Sequence, residues 1–70
     1  MASQKVRYYV NNECQPTGDY EVHTETCPHL QTDSRFLGEY PSCYEAVKEA
    51  KKYHLWANGC NCCSLPCHLG

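Results

Sequence analysis

Cysteine is the residue type that most constrains how this chain can fold. Seven of the 70 residues are cysteine, whereas isoleucine is absent and valine and leucine together number nine. A core of so few aliphatic side chains is too small to order 70 residues, because each backbone unit costs about 1–2 kcal/mol of conformational entropy. A cysteine density this high indicates a disulfide scaffold or a metal site. We therefore expect one small domain over residues 1–70, stabilised by cysteine chemistry.

Charge and hydropathy argue against two classes of partner. The net charge is −2 and the isoelectric point is near 6.0, so strong electrostatic binding to nucleic acid or to an anionic membrane is not expected. No apolar run approaches the ~18 residues that cross a bilayer. The first nine residues lack the apolar stretch of a signal peptide. These features predict a cytoplasmic protein; a secreted form whose signal has been removed is the alternative.

Two pairs of residues have the spacing of metal ligands. An odd number of cysteines cannot form a complete intramolecular disulfide framework, and cysteine clusters in the cytosol more often bind metal or act in catalysis. The chain contains His23-x3-Cys27 and, later, Cys60-x2-Cys63. Paired thiolate and imidazole ligands separated by a structured spacer are typical of tetrahedral Zn²⁺ sites. Gly59, just before the second pair, predicts a backbone conformation that other residues resist.

The residues alone leave the fourth ligand open. Cys67 competes with His23, because Cys63-x3-Cys67 could also close on a metal together with Cys27 and Cys60. A redox dithiol at Cys60 and Cys63 shares the same spacing, but the additional His-x3-Cys pair favours metal.

The remaining cysteines and histidines have simpler interpretations. Cys14 lies in a polar turn and is expected to be an exposed thiol, and Cys62 is expected to face solvent rather than bridge a second zinc. Cys43 lies on an apolar helix stripe and is expected to be a small buried residue without a partner. We expect His29 to be an exposed loop residue and His54 to interact with the last carbonyls of the helix.

Hydrophobic periodicity predicts a β-hairpin, a weaker third strand and one helix. Residues 5–11 and 20–24 alternate between apolar and polar side chains, as paired strands do, and 35–40 gives the third prediction. Ser42 followed by Glu45 is a capping box, which predicts a helix from about Cys43 to His54. One face of that helix would be buried: Cys43, Ala46, Val47, Ala50 and Tyr53.

Three of these features together resemble a known family. They are His23-x3-Cys27 at the end of a strand, the Ser42-x-x-Glu45-Ala46 helix entry, and the closing Gly59-Cys60-x2-Cys63. Over about residues 20–63 the chain is similar to the Ada-like metal-binding domains, small zinc modules of bacterial proteins, and to short stand-alone bacterial proteins with the same helix entry. The resemblance implies a zinc ion held by His23, Cys27, Cys60 and Cys63. It implies a fold and a site, and no activity.

The sequence therefore predicts an α+β domain in which a β-hairpin, with a third strand, packs against one helix. We expect a small intracellular zinc-binding protein whose structural Zn²⁺ supports a non-catalytic interaction module with a protein partner. No catalytic pair is visible, so no enzyme activity is expected. The alternative is a thiol-based metal sensor, metal carrier or redox switch that uses the C-terminal cysteines.

Overall fold

A computed structural model describes residues 5–60, 63–64 and 67. This part of the chain forms, in order, β1 (Val6–Asn11), β2 (Tyr20–Thr24), β3 (Ser34–Tyr40), α1 (Cys43–Ala50) and β4 (Ala57–Gly59). The strands make one mixed sheet in the order β3-β1-β2-β4. The predicted α+β class is confirmed. Within the described ranges, no helix is both long and apolar enough to cross a membrane.

The predicted hairpin forms from β1 and β2. The two strands are antiparallel, with Tyr8 opposite Thr24 and Val10 opposite Val22. Tyr8, Val10 and Val22 are buried, whereas Arg7, on the other face of β1, is exposed. Alternation of apolar and polar side chains thus reports the buried face of the sheet, as it does in half-buried strands.

The third strand pairs with the free side of β1 and contains a bulge. Tyr8 lies opposite Gly38 and Tyr9 opposite Phe36, so Leu37 is an extra residue on β3. Gly38 has a φ of +133°, a conformation that glycine adopts more readily than other residues. The bulge directs Leu37 into the core and leaves the Phe36 ring against Tyr9 on the exposed face, with 5.2 Å between ring centroids.

The helix begins where the sequence predicts and ends a turn early. Cys43 is its first residue and Ser42 has the extended backbone of an N-cap, but the Ser42 side chain makes no capping hydrogen bond. The predicted capping box is therefore not formed. The helix ends at Ala50 rather than near His54, and the chain continues in turns. Tyr53 lies beyond the helix and is 49% exposed, so its predicted place in the buried stripe was wrong.

The core lies between α1 and one face of the sheet. It unites residues of all four strands and the helix with a residue near the C-terminus: Tyr8, Val10, Val22, Leu37, Cys43, Ala46, Val47, Ala50, Ala57 and Cys67, flanked by Tyr20 and Tyr40. Aliphatic residues larger than alanine contribute only four of these side chains.

The short strand β4 was not predicted, and it positions the C-terminal cysteines. It runs parallel to β2, with Tyr20 opposite Ala57 and Val22 opposite Gly59. Three residues are too few for a periodic pattern, so the sequence suggested only a turn at this point. Gly59 is not among the glycines with positive φ, contrary to the expectation above. Its lack of a side chain serves close packing instead, because a Cβ there would lie 2.6 Å from the Cβ of Cys67.

Candidate metal centre

The fold brings together one histidine and three cysteines from two distant parts of the chain. The ligand atoms of His23, Cys27, Cys60 and Cys63 all lie within 4.8 Å of one another. His23 is on β2 and Cys27 is in the turn that follows it, whereas Cys60 follows β4 directly. The parallel pairing of β2 with β4 therefore joins the two predicted ligand pairs at the same end of the sheet.

The distances between ligand atoms match a tetrahedral metal site. The Sγ atoms of Cys27 and Cys60 are 3.9 Å apart, and the Sγ of Cys63 is 3.9 Å from Nδ1 of His23. With Zn–S near 2.3 Å and Zn–N near 2.05 Å, a tetrahedron has S···S edges of about 3.8 Å and S···N edges of about 3.5 Å. These two separations exceed the ideal edges by at most a few tenths of an ångström, and none of the six separations exceeds 4.8 Å.

Backbone hydrogen bonds to β2 and its turn hold the three cysteines. The Cys27 N–H donates to the Thr24 carbonyl at 3.1 Å, and the Cys60 N–H donates to the Val22 carbonyl at 3.0 Å. The Thr24 N–H donates to the Sγ of Cys63 at 3.3 Å. N–H donors to sulfur stabilise a thiolate. β2 thus serves as the common support of the cluster.

The His23 ring is fully buried and its second nitrogen has polar neighbours. Nδ1 faces Cys63, whereas Nε2 lies 3.0 Å from Nδ2 of Asn11 and 3.5 Å from a carboxylate oxygen of Glu21. The Asn11 contact is a hydrogen bond in the tautomer whose Nε2 is unprotonated. The Asn11 amide is oriented by the Gln31 N–H, which donates to its Oδ1 at 3.0 Å. A neutral imidazole that binds metal through Nδ1 carries its proton on Nε2. In that tautomer Nδ2 of Asn11 would face a second donor, and the Glu21 carboxylate, 3.5 Å away, is the acceptor near enough to approach the proton, as in carboxylate–histidine–metal arrangements.

Burial and hydrogen bonding shift the pKa values of the cluster in different directions. Burial raises the pKa of the Cys27 thiol to about 12, and neighbouring Cys63 adds to the shift. For Cys63 burial also favours the neutral thiol, but hydrogen bonds from Thr24, Cys27 and Ser64 outweigh it and lower the pKa. Burial lowers the pKa of His23, with a smaller contribution from His29. A bound cation would supply the positive charge that converts the remaining thiols into thiolates.

Cys67, the alternative ligand, has a different partner. Its Sγ is bonded to that of Cys43 at 2.13 Å, with the two Cα atoms 6.2 Å apart. Both residues are buried in the core between the helix and the sheet. The structure therefore does not support the alternative ligand set in which Cys67 replaces His23. It also corrects the prediction for Cys43, which is buried but forms a disulfide rather than remaining a lone thiol. The helix carries Cys43 on its buried face, and Cys67 lies against that face, so the two sulfurs meet.

The other candidates lie away from the cluster or outside the described residues. Cys14 is an exposed thiol and His29 is an exposed loop residue, as predicted. The His54 ring stacks on Tyr20 with 3.8 Å between centroids, while its backbone N–H bonds the Ala50 carbonyl. The prediction for Cys62 concerns a position that the structure does not describe.

Sequence reasoning missed two polar neighbours of His23. Asn11 lies at the end of β1 and is 1% exposed, and Glu21 is two positions before His23 on the same face of β2. For Glu21 the strand alternation carries a usable signal, since residues i and i+2 share a face. For Asn11 no local signal exists, because its contact depends on how the two strands and the following loop meet.

Comparison with known proteins finds no relative. No family model matches the chain, no curated protein matches it, and no solved structure matches its fold. The resemblance to Ada-like domains therefore stays a prediction that depends on the residues named above.

Proposed function

We propose that this protein binds one Zn²⁺ ion through His23, Cys27, Cys60 and Cys63, and that the ion is structural. The observation that carries the proposal is the convergence of one imidazole nitrogen and three sulfurs within 4.8 Å. Thiolate and imidazole ligands in a tetrahedral arrangement are preferred by zinc, whereas carboxylates and carbonyls suit magnesium and calcium. The resemblance to Ada-like zinc modules supports the same ion.

Four protein ligands support a structural role over a catalytic one. A catalytic zinc keeps one position open for water or substrate, and this set closes the coordination sphere. Three of the four residues, His23, Cys27 and Cys60, are buried, so substrate has little access to the centre. Binding of zinc to such sites contributes about 10 kcal/mol or more at neutral pH. That amount is enough to stabilise a domain with so small a core.

A non-catalytic interaction module is the role that fits a closed structural site. Leu55 and Trp56, in the turn before β4, are 74% and 71% exposed. Two clefts of about 310 Å³ each meet at Trp56, and Asp19 contributes to both. Exposed aromatic and aliphatic side chains beside a polar group are typical of protein interfaces. We propose a protein as the partner, since the net charge of −2 gives no support to nucleic acid.

One observation favours a second candidate, a thiol-based metal carrier or redox switch. Cys63 is the ligand that is only half-buried, and hydrogen bonds lower the pKa of its thiol, which favours the reactive thiolate. A metal bound there could be passed to another thiol ligand. Ligand thiols are typical of a reducing cytoplasm, whereas the Cys43–Cys67 disulfide is more typical of oxidising compartments, so the cytoplasmic location stays a prediction.

Native mass spectrometry with elemental analysis tests the zinc proposal. We expect one zinc for each wild-type chain and none for Cys60→Ser, because a structural site loses its metal with one thiolate ligand. Cys14→Ser is the matched control: it removes an exposed thiol outside the cluster and should retain one zinc. A wild-type chain without metal, or with a full zinc complement in Cys60→Ser, would refute the site.

The exchange rate of the bound metal separates the two candidates. A structural ion should exchange with isotopically labelled zinc only as fast as the domain opens. A carrier should transfer it within seconds to a competing thiol ligand. Transfer within seconds from the wild-type chain would replace the first candidate with the second.

A further inference from the structure

The segment that carries two of the four proposed ligands is attached to the rest of the domain at both ends. At its start, the Cys60 N–H bonds the Val22 carbonyl at 3.0 Å, directly after β4 pairs with β2. At its end, Cys67 is joined to Cys43, the first residue of α1. Both sulfurs of the disulfide belong to residues that are 6% exposed. Cys60 is thus fixed to the sheet and Cys67 to the helix.

Cys63 depends on these two attachments more than the other ligands do. His23 is held by a strand, and Cys27 and Cys60 are held by backbone bonds to β2 and its turn. Cys63 receives the Thr24 N–H on its sulfur, but its position follows from the turn around it.

Two hydrogen bonds build that turn. The Ser64 N–H donates to the Cys60 carbonyl and the Cys67 N–H donates to the Ser64 carbonyl, each at 2.9 Å. Ser64 is 1% exposed, and a Cβ on Gly59 would lie 2.7 Å from its carbonyl oxygen. Ser64 therefore packs directly on β4. Release of Cys67 would free its hydrogen bond to Ser64, which is the chain neighbour of the ligand Cys63.

We propose that the Cys43–Cys67 disulfide and the metal centre are thermodynamically coupled, so that the oxidised chain binds zinc more tightly than the reduced chain. This inference depends on the proposed zinc site and adds a mode of regulation to it. The redox step is a thiol–disulfide exchange: two thiols of a dithiol reductant become one disulfide, and the Cys43–Cys67 bond becomes two thiols. Two electrons and two protons pass from the reductant to the pair, and no other reactant is needed.

Coupling of this kind is reciprocal. If the disulfide raises zinc affinity by a given factor, bound zinc must raise the resistance of the disulfide to reduction by the same factor. The burial of Cys43 and Cys67 supplies the physical route. A reductant reaches the bond only when the C-terminal segment opens, and zinc held by Cys60 and Cys63 opposes that opening.

The test measures the coupling from both directions on the wild-type chain. Zinc affinity is measured by chelator competition for the oxidised chain and for the chain reduced with a phosphine, which is then removed under anaerobic conditions. We expect the reduced chain to bind about tenfold more weakly. The reduction equilibrium is measured in glutathione buffers with and without saturating free zinc, by alkylation of the thiols. A tenfold coupling shifts the midpoint by about 30 mV for this two-electron couple.

Variants provide the matched controls. The double substitution Cys43→Ala and Cys67→Ala should give the affinity of the reduced chain and lose its dependence on reductant, while Cys14→Ala should behave as wild type. The measurement on the two wild-type forms needs no substitution, so a variant that fails to fold does not remove the test.

The outcomes separate this inference from the zinc site itself. Equal affinity in both forms, or tighter binding by the reduced chain through Cys67, would overturn the coupling and leave the zinc site in place. Zinc bound by neither form would overturn both.

Discussion

Two groups of cysteines lie within one small domain and have different chemistry. In the first, between α1 and the sheet, the sulfurs of Cys43 and Cys67 are bonded at 2.13 Å. In the second, at the end of β2 and β4, the sulfurs of Cys27 and Cys60 are 3.9 Å apart beside a buried histidine. The first pair is a disulfide, whereas the second separation is compatible with two ligands of one metal ion.

The comparison shows that local geometry, rather than cysteine content, decides what a thiol does. Cys63 and Cys67 are four residues apart, yet one faces the imidazole of His23 and the other faces the helix. A core this small thus has two candidate stabilising links, one covalent and one that depends on metal.

Removal of a ligand from the metal group should have the largest effect. We expect His23→Ala to lose zinc and much of its stability, because the contribution of about 10 kcal/mol from a structural site is lost with its ligand. Cys67→Ser should retain one zinc at saturating metal and lose about 2–5 kcal/mol with its disulfide. Native mass spectrometry and thermal unfolding by circular dichroism measure both. Zinc kept by His23→Ala and released by Cys67→Ser would reverse the roles assigned to the two groups.

Gly59 lies between the metal group and the disulfide, and we expect an added methyl group at this position to destabilise both. Gly59→Ala would place a Cβ 2.6 Å from the Cβ of Cys67 and 2.7 Å from the Ser64 carbonyl. Overpacking against backbone costs about 1–3 kcal/mol. We expect a lower free energy of unfolding in urea and slower formation of the disulfide.

Gly18→Ala is the control for this substitution. Gly18 has a φ of +93° and no atom within 4 Å of its added Cβ, so it measures conformational strain without the clash. Gly59→Ala as stable as wild type would show that the C-terminal segment can move away from β4.

Substitution of the Glu21 carboxylate should lower zinc affinity and leave the disulfide unchanged. Its oxygen lies 3.5 Å from Nε2 of His23, where it can accept the proton of a metal-bound imidazole. Loss of such a partner typically lowers metal affinity about tenfold to a hundredfold. We expect Glu21→Gln to bind zinc about tenfold more weakly with the disulfide unchanged, measured by chelator competition. Glu39→Gln, an exposed residue on β3, should have wild-type affinity; a similar loss in both variants would contradict a specific role for Glu21.

The pH dependence of the metal-free chain should show a smaller effect. Burial lowers the pKa of His23 below its value of 6.5 in an unfolded chain, and His29 contributes further. The folded state therefore favours the neutral ring. This contribution to stability is complete above pH 6.5 and is lost as the pH falls through the lowered pKa of the folded state. Urea unfolding between pH 8 and pH 5 should show this loss in wild type and a weaker one in His23→Gln; equal slopes would contradict it.

Local sequence patterns were sufficient for much of the fold and for the members of the candidate site. Alternation over 5–11 and 20–24 predicted the hairpin, and the stripe from Cys43 to Tyr53 predicted a helix that in the structure ends at Ala50. The two spacings, His-x3-Cys and Cys-x2-Cys, contain the four residues that lie together, although they left Cys67 as an alternative to His23. These features could be read directly because a strand, a helix turn and a ligand pair each depend on residues close in sequence.

Only the tertiary structure decided which cysteines meet. Cys43 and Cys67 are separated by 24 residues, and no local sequence pattern at either position predicts that they pair. The parallel pairing of β4 with β2 joins the ligand pairs, yet β4 has three residues and no periodicity. Asn11 reaches His23 for a similar reason, across two strands. Contacts between distant residues depend on the simultaneous packing of all elements. Hydrophobic periodicity predicts only which face of each strand or helix is buried.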